Sequence, residues 1–261
     1  MRLLRGEGAL LRVGHRGAAA LAPENTLRAF EAALALGVDA IEFDVLDLAD
    51  GPLVLAHSND LAEVSHGAAG GTVRARSLDE LREVAPELPT LDEALAFLAA
   101  HNVGVHVDLK LTRRLDEVAD GLVRHGLAER SVVSSFHLAS LAAFTTRAPR
   151  IPIGFTYPED RYGVSRRPAF QPVIRLGTLA LRRALVARIP GMIGRAGAAA
   201  LMLHHAVVTA SAVERAHAAG AAVWAWTIDD SAELARLDAA GVDAIISNNP
   251  EIFGSMATLA P

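Results

Sequence analysis

Residues 11–57 read LRVGHRGAAALAPENTLRAFEAALALGVDAIEFDVLDLADGPLVLAH, and this stretch decides the fold. An apolar run near 11–15 leads into a helix-period run over 25–36 and then a second apolar run over 40–46. Buried parallel strands read as continuous apolar runs, so this order predicts a strand–helix–strand unit with the strands parallel. Asp50-Gly51 then signals a hairpin into 53–57. Residues 53–57 read as a returning extension of the second strand, which folds His57 back over the strand ends.

Outward from this unit the alternation continues. Further apolar runs lie near 103–109, 131–136, 151–156, 200–204, 222–228 and 243–247. Amphipathic runs lie over 77–84, 91–100, 115–125, 138–147, 211–219 and 231–240. Thr90 and Ser231 read as helix N-caps, and Thr90 with Glu93 as a capping box. With 53–57 set aside, the apolar runs predict eight strands. The expected fold is a single-domain (β/α)8 TIM barrel over 1–261, with a small hairpin insertion after strand 2.

Composition narrows the function classes. Hydrophobic residues make up 51% and charged residues 21%, enough for a large core and too apolar for global disorder. The net charge of −5 argues against a nucleic-acid partner. The absence of cysteine removes disulfides, Cys-zinc sites and thiol nucleophiles together. Arg2, Arg5 and Glu7 interrupt any apolar signal core, and Arg182, Arg183 and Arg188 break the stretch 176–194 as a membrane span. The expected location is cytoplasmic. Residues 158–199 form a variable basic excursion, in which 161–195 carry eight arginines and no acid. That composition suits attraction of anionic substrates or peripheral contact with anionic lipid.

In such a barrel the chemistry sits at the C-terminal ends of the strands. His15 ends the first apolar run, and Gly17 lets the chain turn sharply after Arg16. Glu42 and Asp44 share parity on one strand, so both point inward at the mouth. Such a carboxylate pair calls for a compensating hard cation with oxygen ligands, Mg2+ or Ca2+. His106, Asp108 and Lys110 share one inner face. Asp108 offers a third oxygen to the ion, and His106, one step deeper, reads as a hydrogen-bonded core histidine. Lys110 is the only lysine in a chain that elsewhere uses arginine, which marks a site needing a compact charge, suited to a phosphate oxygen. Arg16 is a second phosphate contact. His15 and His57 can trade protons near neutrality as one base and one acid. Phe136, His204 and Trp226 end strand runs and wall the pocket.

These pieces occur together with VGHRG, APENT, FEAALALGVDAIEFDV, DGPLVLAH, SLDELREV, LPTLDEAL, VDLK, VVSSF, VWAWTIDD and GVDAIISNNP, in that order. Through nearly its whole length the chain resembles the glycerophosphodiester phosphodiesterase family. The resemblance implies a TIM barrel, one divalent cation, and hydrolysis of glycerophosphodiesters to glycerol 3-phosphate and an alcohol. Carried over, His15 and His57 are the acid–base pair, Glu42 and Asp44 bind metal, and Arg16 and Lys110 hold phosphate. Asp108 stands where the family has Glu, in Glu-x-Lys. Ser58 replaces the Asp that usually follows the hairpin His, which leaves Asn59 or Asp60 to orient that loop. The usual Arg and Thr pair is missing from AEVSHGAAGG, residues 62–71. The expected chemistry is attack by the substrate's own glycerol hydroxyl through a cyclic phosphate. Two alternatives stand beside it: a lysophospholipid phosphodiesterase like the phospholipase D branch, and a non-catalytic barrel that binds phosphate or lipid.

Overall fold

Nine strands and nine helices occur among the described residues. In chain order they are β1 (Leu11–Gly14), α1 (Leu27–Ala35), β2 (Ala40–Asp47), β3 (Leu53–Leu55), α2 (Leu61–Val64), α3 (Leu78–Val84), α4 (Leu91–Ala99), β4 (Gly104–Leu109), α5 (Leu115–Arg124), β5 (Ser131–Ser135) and α6 (Leu138–Arg147). There follow β6 (Ile153–Tyr157), α7 (Gln171–Ala196), β7 (Ala200–His204), α8 (Ala210–Ala218), β8 (Ala222–Trp226), α9 (Ser231–Ala239) and β9 (Ala244–Ser247). The computed structural model describes residues 1–159 and 171–258, with backbone alone at 171–176 and 255–258.

Eight strands pair in parallel and close into a barrel, because β1 bonds to both β2 and β9. β3 is the exception. It lies antiparallel on β2, with Leu55 opposite Val45, as the Asp50-Gly51 turn predicts. The predicted (β/α)8 barrel with its hairpin is the observed fold.

Strand parity divides the side chains. Ile41, Phe43 and Val45 of β2 and Val105, Val107 and Leu109 of β4 face outward into one core with α1, α4, α5 and α6. A second core joins β7 and β8 to α7, α8 and α9. The barrel interior is filled by Trp224, fully buried, among the small or slim side chains of Val13, Ala40, Val132, Ala200, Ala222 and Ala244. The indole Nε1 donates to the Leu3 carbonyl at 3.2 Å, so the N-terminal arm seals the floor. His106 stacks edge-on against Trp224, 5.5 Å between centroids.

One local expectation changes. Ser231 is the first residue of α9; the cap is Asp230, whose carboxylate accepts from Glu233 N. The basic excursion is largely helix: α7 runs 26 residues straight through Pro190. Leu185, Ile189 and Met192 are buried on its inner face, and that burial outweighs the low helix propensity of proline and glycine. Residues 160–170 of the excursion lie outside the described residues. No helix among the described residues is long and apolar enough to cross a membrane.

The turn after β1 depends on close backbone contact. Gly17 has φ +84°, and a Cβ there would stand 2.5 Å from the Ala29 carbonyl carbon in α1. Gly17→Ala should destabilise the fold by about 2–4 kcal/mol, through left-handed strain plus overpacking, read as a lower urea midpoint.

Two buried imidazoles give the fold an acid limit. Burial, with Arg16 adding to it, lowers the His15 pKa from 6.5 to about 3. Burial lowers that of His106 from 6.5 to about 4. Below pH 6.5 the unfolded chain takes up protons that the folded chain refuses, so stability falls as pH falls through this window. His106→Asn should remove up to about 3 kcal/mol of that acid loss, seen as a flatter dependence of urea stability on pH.

Candidate active site

A cavity of about 1220 Å³ opens at the C-terminal ends of the barrel strands. His15, Arg16, Glu42, Asp44, His57, Asp108, Lys110, Phe136, His204 and Trp226 all line it. The structure therefore brings every sequence-predicted site residue to one hollow, with both imidazoles on the same end of the barrel.

The turn after β1 is tied down from three sides. His15 N donates to the Ser247 carbonyl at 2.8 Å, and Gly17 N to the Glu42 carbonyl at 3.2 Å. Arg16 adopts φ +52°, a left-handed conformation held by its own N–H donating to Glu42 Oε2 at 2.8 Å. Its guanidinium reaches Glu24 at 2.6 Å and lies 3.1 Å from Asp44. Arg16 Nε is the atom that faces Asp44, a buried ion pair without hydrogen-bond geometry.

β2 and β4 carry the acids in register, Asp44 beside Asp108 and Glu42 beside His106. Asn25, from the Pro23–Thr26 loop, donates to Asp44 and accepts from its backbone N–H, each at 3.0 Å. Lys110 Nζ bridges Asp44 at 3.1 Å and Asp108 at 2.5 Å, and lies 5.5 Å from the Phe136 ring centre. Asp108 also accepts the hydroxyl proton of Ser134. Ser134 has one proton, so His106 must donate Nε2–H to it across 2.8 Å. His106 is thus a neutral, internally bonded histidine beneath the site, as its depth suggested.

Charge is unevenly shared among the acids. Burial opposes ionisation of Asp44, yet Lys110 and Arg16 hold its pKa far below the ordinary range. Burial likewise works against the Lys110 charge, and Asp108 and Asp44 more than restore it, raising its pKa. Glu42 goes the other way: burial and the neighbouring Asp44 raise its pKa well above the usual value. Its carboxylate has the Arg16 N–H and, at 3.8 Å, His15 Nε2. It is the one acid of the three left short of positive charge.

The donor chemistry at Glu42 and Asp44, two carboxyl groups that line the cavity, fits a hard divalent cation. Asp108, expected as a third oxygen, is placed on Lys110 and Ser134. Among the described residues, no three His, Asp or Glu side chains are already arranged around one ion position.

The two imidazoles have different supports. Asn248 donates its amide to Asp229 at 2.7 Å, so its carbonyl oxygen faces His15 Nδ1 at 2.6 Å. His15 is therefore protonated on Nδ1 and offers Nε2. His57 Nδ1 lies 2.8 Å from Glu63 Oε1, and Ser58 Oγ donates to Glu63 Oε2 at 2.7 Å. Burial works against the Glu63 charge, but Ser58 and His57 hold its pKa below the ordinary value. Asn59 and Asp60 do organise this loop: Asn59 accepts from Arg74 N at 2.8 Å, and Asp60 caps α2. Neither one holds His57.

Sequence reasoning missed Glu63 and Asn248. Both lie inside stretches already singled out, AEVSHGAAGG and GVDAIISNNP. The signal for Glu63 was an acid six positions beyond a catalytic-type His, reachable only if a short helix intervenes. The far wall of the cavity is aromatic: Trp226 packs edge-on against His204 at 5.0 Å and Phe136 at 6.0 Å.

The comparisons with known proteins agree with this fold. The model of the glycerophosphoryl diester phosphodiesterase family matches residues 15–252. The chain is 26% identical over 255 residues to a glycerophosphodiester phosphodiesterase of Caldanaerobacter subterraneus subsp. tengcongensis, covering 92% of this chain and 94% of that one. It is 29% identical over 270 residues to a probable glycerophosphodiester phosphodiesterase of Mycobacterium tuberculosis, covering 91% and 89%. In fold it is similar to a crystal structure of a glycerophosphoryl diester phosphodiesterase described as putative, from Silicibacter pomeroyi, with TM-score 0.80, 24% identity, and 98% and 96% coverage. A phosphodiesterase of Oleispira antarctica, solved with the product sn-glycerol-3-phosphate, superposes with TM-score 0.73 at 24% identity, covering 95% and 96%. With its barrel, its turn of His15, Arg16 and Gly17 and its paired carboxylates, the chain belongs to the glycerophosphoryl diester phosphodiesterase family.

Proposed function

We propose that this enzyme hydrolyses glycerophosphodiesters to glycerol 3-phosphate and an alcohol, with His15 and His57 as the proton-transfer pair. One observation supports it above the others: two imidazoles, each fixed through Nδ1, flank one cavity that also holds Arg16 and Lys110. The solved relative with bound sn-glycerol-3-phosphate supports the product class.

His15 rests on a neutral amide that fixes Nδ1 and leaves Nε2 to the cavity, which suits a base. His57 rests on a carboxylate, which fixes its ring through Nδ1 and suits an acid. His15 Nε2 takes the proton of the glycerol hydroxyl next to the phosphoester, and that oxygen bonds to phosphorus. The bond to the departing alcohol breaks, and His57 Nε2 gives that oxygen its proton. In the second half, water gives a proton to His57 and attacks the cyclic phosphate, and His15 returns its proton to the ring oxygen that leaves. The Arg16 guanidinium and the Lys110 ammonium, both held against Asp44, supply positive charge to the non-bridging phosphate oxygens. A divalent cation, Mg2+ or Ca2+, on Glu42 and Asp44 would supply further positive charge to those oxygens.

A second reading has its own observation. Leu181, Val207, Phe136 and Trp226 give the cavity an apolar wall beyond the phosphate contacts. Such a wall suits the acyl chain of a lysophospholipid. On the outer face of α7, Arg183, Arg188 and Arg195 are exposed beside Leu179, which suits electrostatic contact with anionic lipid.

His15→Ala and His57→Ala should each lower turnover of glycerophosphocholine by about 10²–10⁴-fold with the fold retained, checked by circular dichroism and product assay. Full activity in either variant refutes the pair. Chelation should abolish turnover, and added Mg2+ or Ca2+ should restore it. Turnover of a lysophospholipid above that of glycerophosphocholine, rising further with anionic vesicles, would select the second reading.

A further inference from the structure

The loop after β3 carries a carboxylate that the proton-transfer pair does not explain. Glu63 stands in the first turn of α2, six positions beyond His57, and both of its oxygens are taken. Oε1 meets His57 Nδ1 at 2.8 Å; Oε2 accepts the Ser58 hydroxyl at 2.7 Å. The Ser58 oxygen also accepts from Asp60 N at 3.1 Å, so the serine ties the carboxylate to the loop backbone. Asp60 in turn caps α2 through Ala62 N at 3.0 Å. The carboxylate is thereby fixed in place before any substrate arrives.

We propose that Glu63 is the positioning residue of this enzyme's general acid: it fixes His57 with Nε2 toward the substrate and stabilises the imidazolium that delivers the proton to the departing alcohol. This rests on the reading of His57 given above and adds the residue that makes the two histidines unequal. An ionised carboxylate can only accept, so Nδ1 must carry a hydrogen and Nε2 is the atom left for substrate. A carboxylate beside an imidazole also favours the charged ring, whereas the amide behind His15 carries no such charge. Ser58 is part of the same device. An Asp directly after the histidine would place its negative charge in the loop itself. Here a neutral serine occupies that position, and the charge comes from one turn of helix further on.

Leaving-group dependence tests this directly. An alkoxide such as that of choline needs a proton in order to leave, whereas p-nitrophenolate does not. The two substrates are glycerophosphocholine and the glyceryl p-nitrophenyl phosphodiester, which share the attacking half. Glu63→Gln keeps the shape and removes the charge. It should lower kcat on glycerophosphocholine by about 10–100-fold with KM nearly unchanged, and on the p-nitrophenyl diester by at most a few-fold. Ser58→Ala, which loosens the carboxylate without removing it, should show the same split at smaller size. Equal losses on both substrates, or no loss, in Glu63→Gln would overturn the inference. If that variant fails to fold, the presence or absence of the split in Ser58→Ala decides. His57→Ala serves as the reference. If it shows the split and the Glu63 and Ser58 variants do not, the Glu63 role alone falls. If it retains full turnover of both substrates, the reading of the site falls with it.

Discussion

Asp44 and Asp108 face each other across neighbouring strands and share the ammonium of Lys110. Everything at the mouth of the barrel depends on that buried contact. Two carboxylates at this depth would be very costly without a cation between them, and a lone buried lysine would lose its charge. Together each keeps the other ionised: the pKa of Lys110 is raised and that of Asp44 is lowered, both against the opposing effect of burial. Below them the contact is anchored through Ser134 to a neutral His106 and the fully buried Trp224. The reactive end of the barrel thus rests on a rigid polar column, and the column rests on the apolar floor.

The same electrostatics leave Glu42 as the odd member. It shares the strand face of Asp44 but not its cations, and burial pushes its carboxyl toward the neutral form. A phosphodiester brings negative charge into a cavity that Arg16 and Lys110 line. Around this centre the two histidines are held by unlike partners, an amide at His15 and a carboxylate at His57. The two rings, alike in residue type, thus differ in what stands behind them.

Much of this was legible in the chain. The eight barrel strands fall on the apolar runs, and the parity of Glu42, Asp44, His106 and Asp108 places them inward, because a strand alternates its side chains whatever its neighbours are. Thr90 caps α4 through a box that local chemistry alone dictates. The failures share a cause. Ser231 was read as a cap, and the cap fell to Asp230, one residue earlier, within the ordinary uncertainty of a helix boundary. α7 carries Pro190 and several glycines, so its local preferences argue against a long helix; only the buried face it presents to β7 and α8 makes it one. Glu63 is marked in the sequence only by its spacing from His57. Its role comes from the way the β3 return and one turn of α2 set it against His57.

The sequence by itself determined the strand–helix alternation, the closed parallel barrel with one hairpin, the inward face of the acidic strands and the reactive side-chain types. These follow from periodicity and from the energetic cost of burying charge, which act within a few residues. Tertiary structure alone decided the partners: Lys110 between two acids, Asn248 behind His15, Glu63 behind His57, and α7 along one wall of the cavity. Hydrogen bonds and ion pairs reach only about 3 Å, so they join residues far apart in the chain only once the barrel has closed.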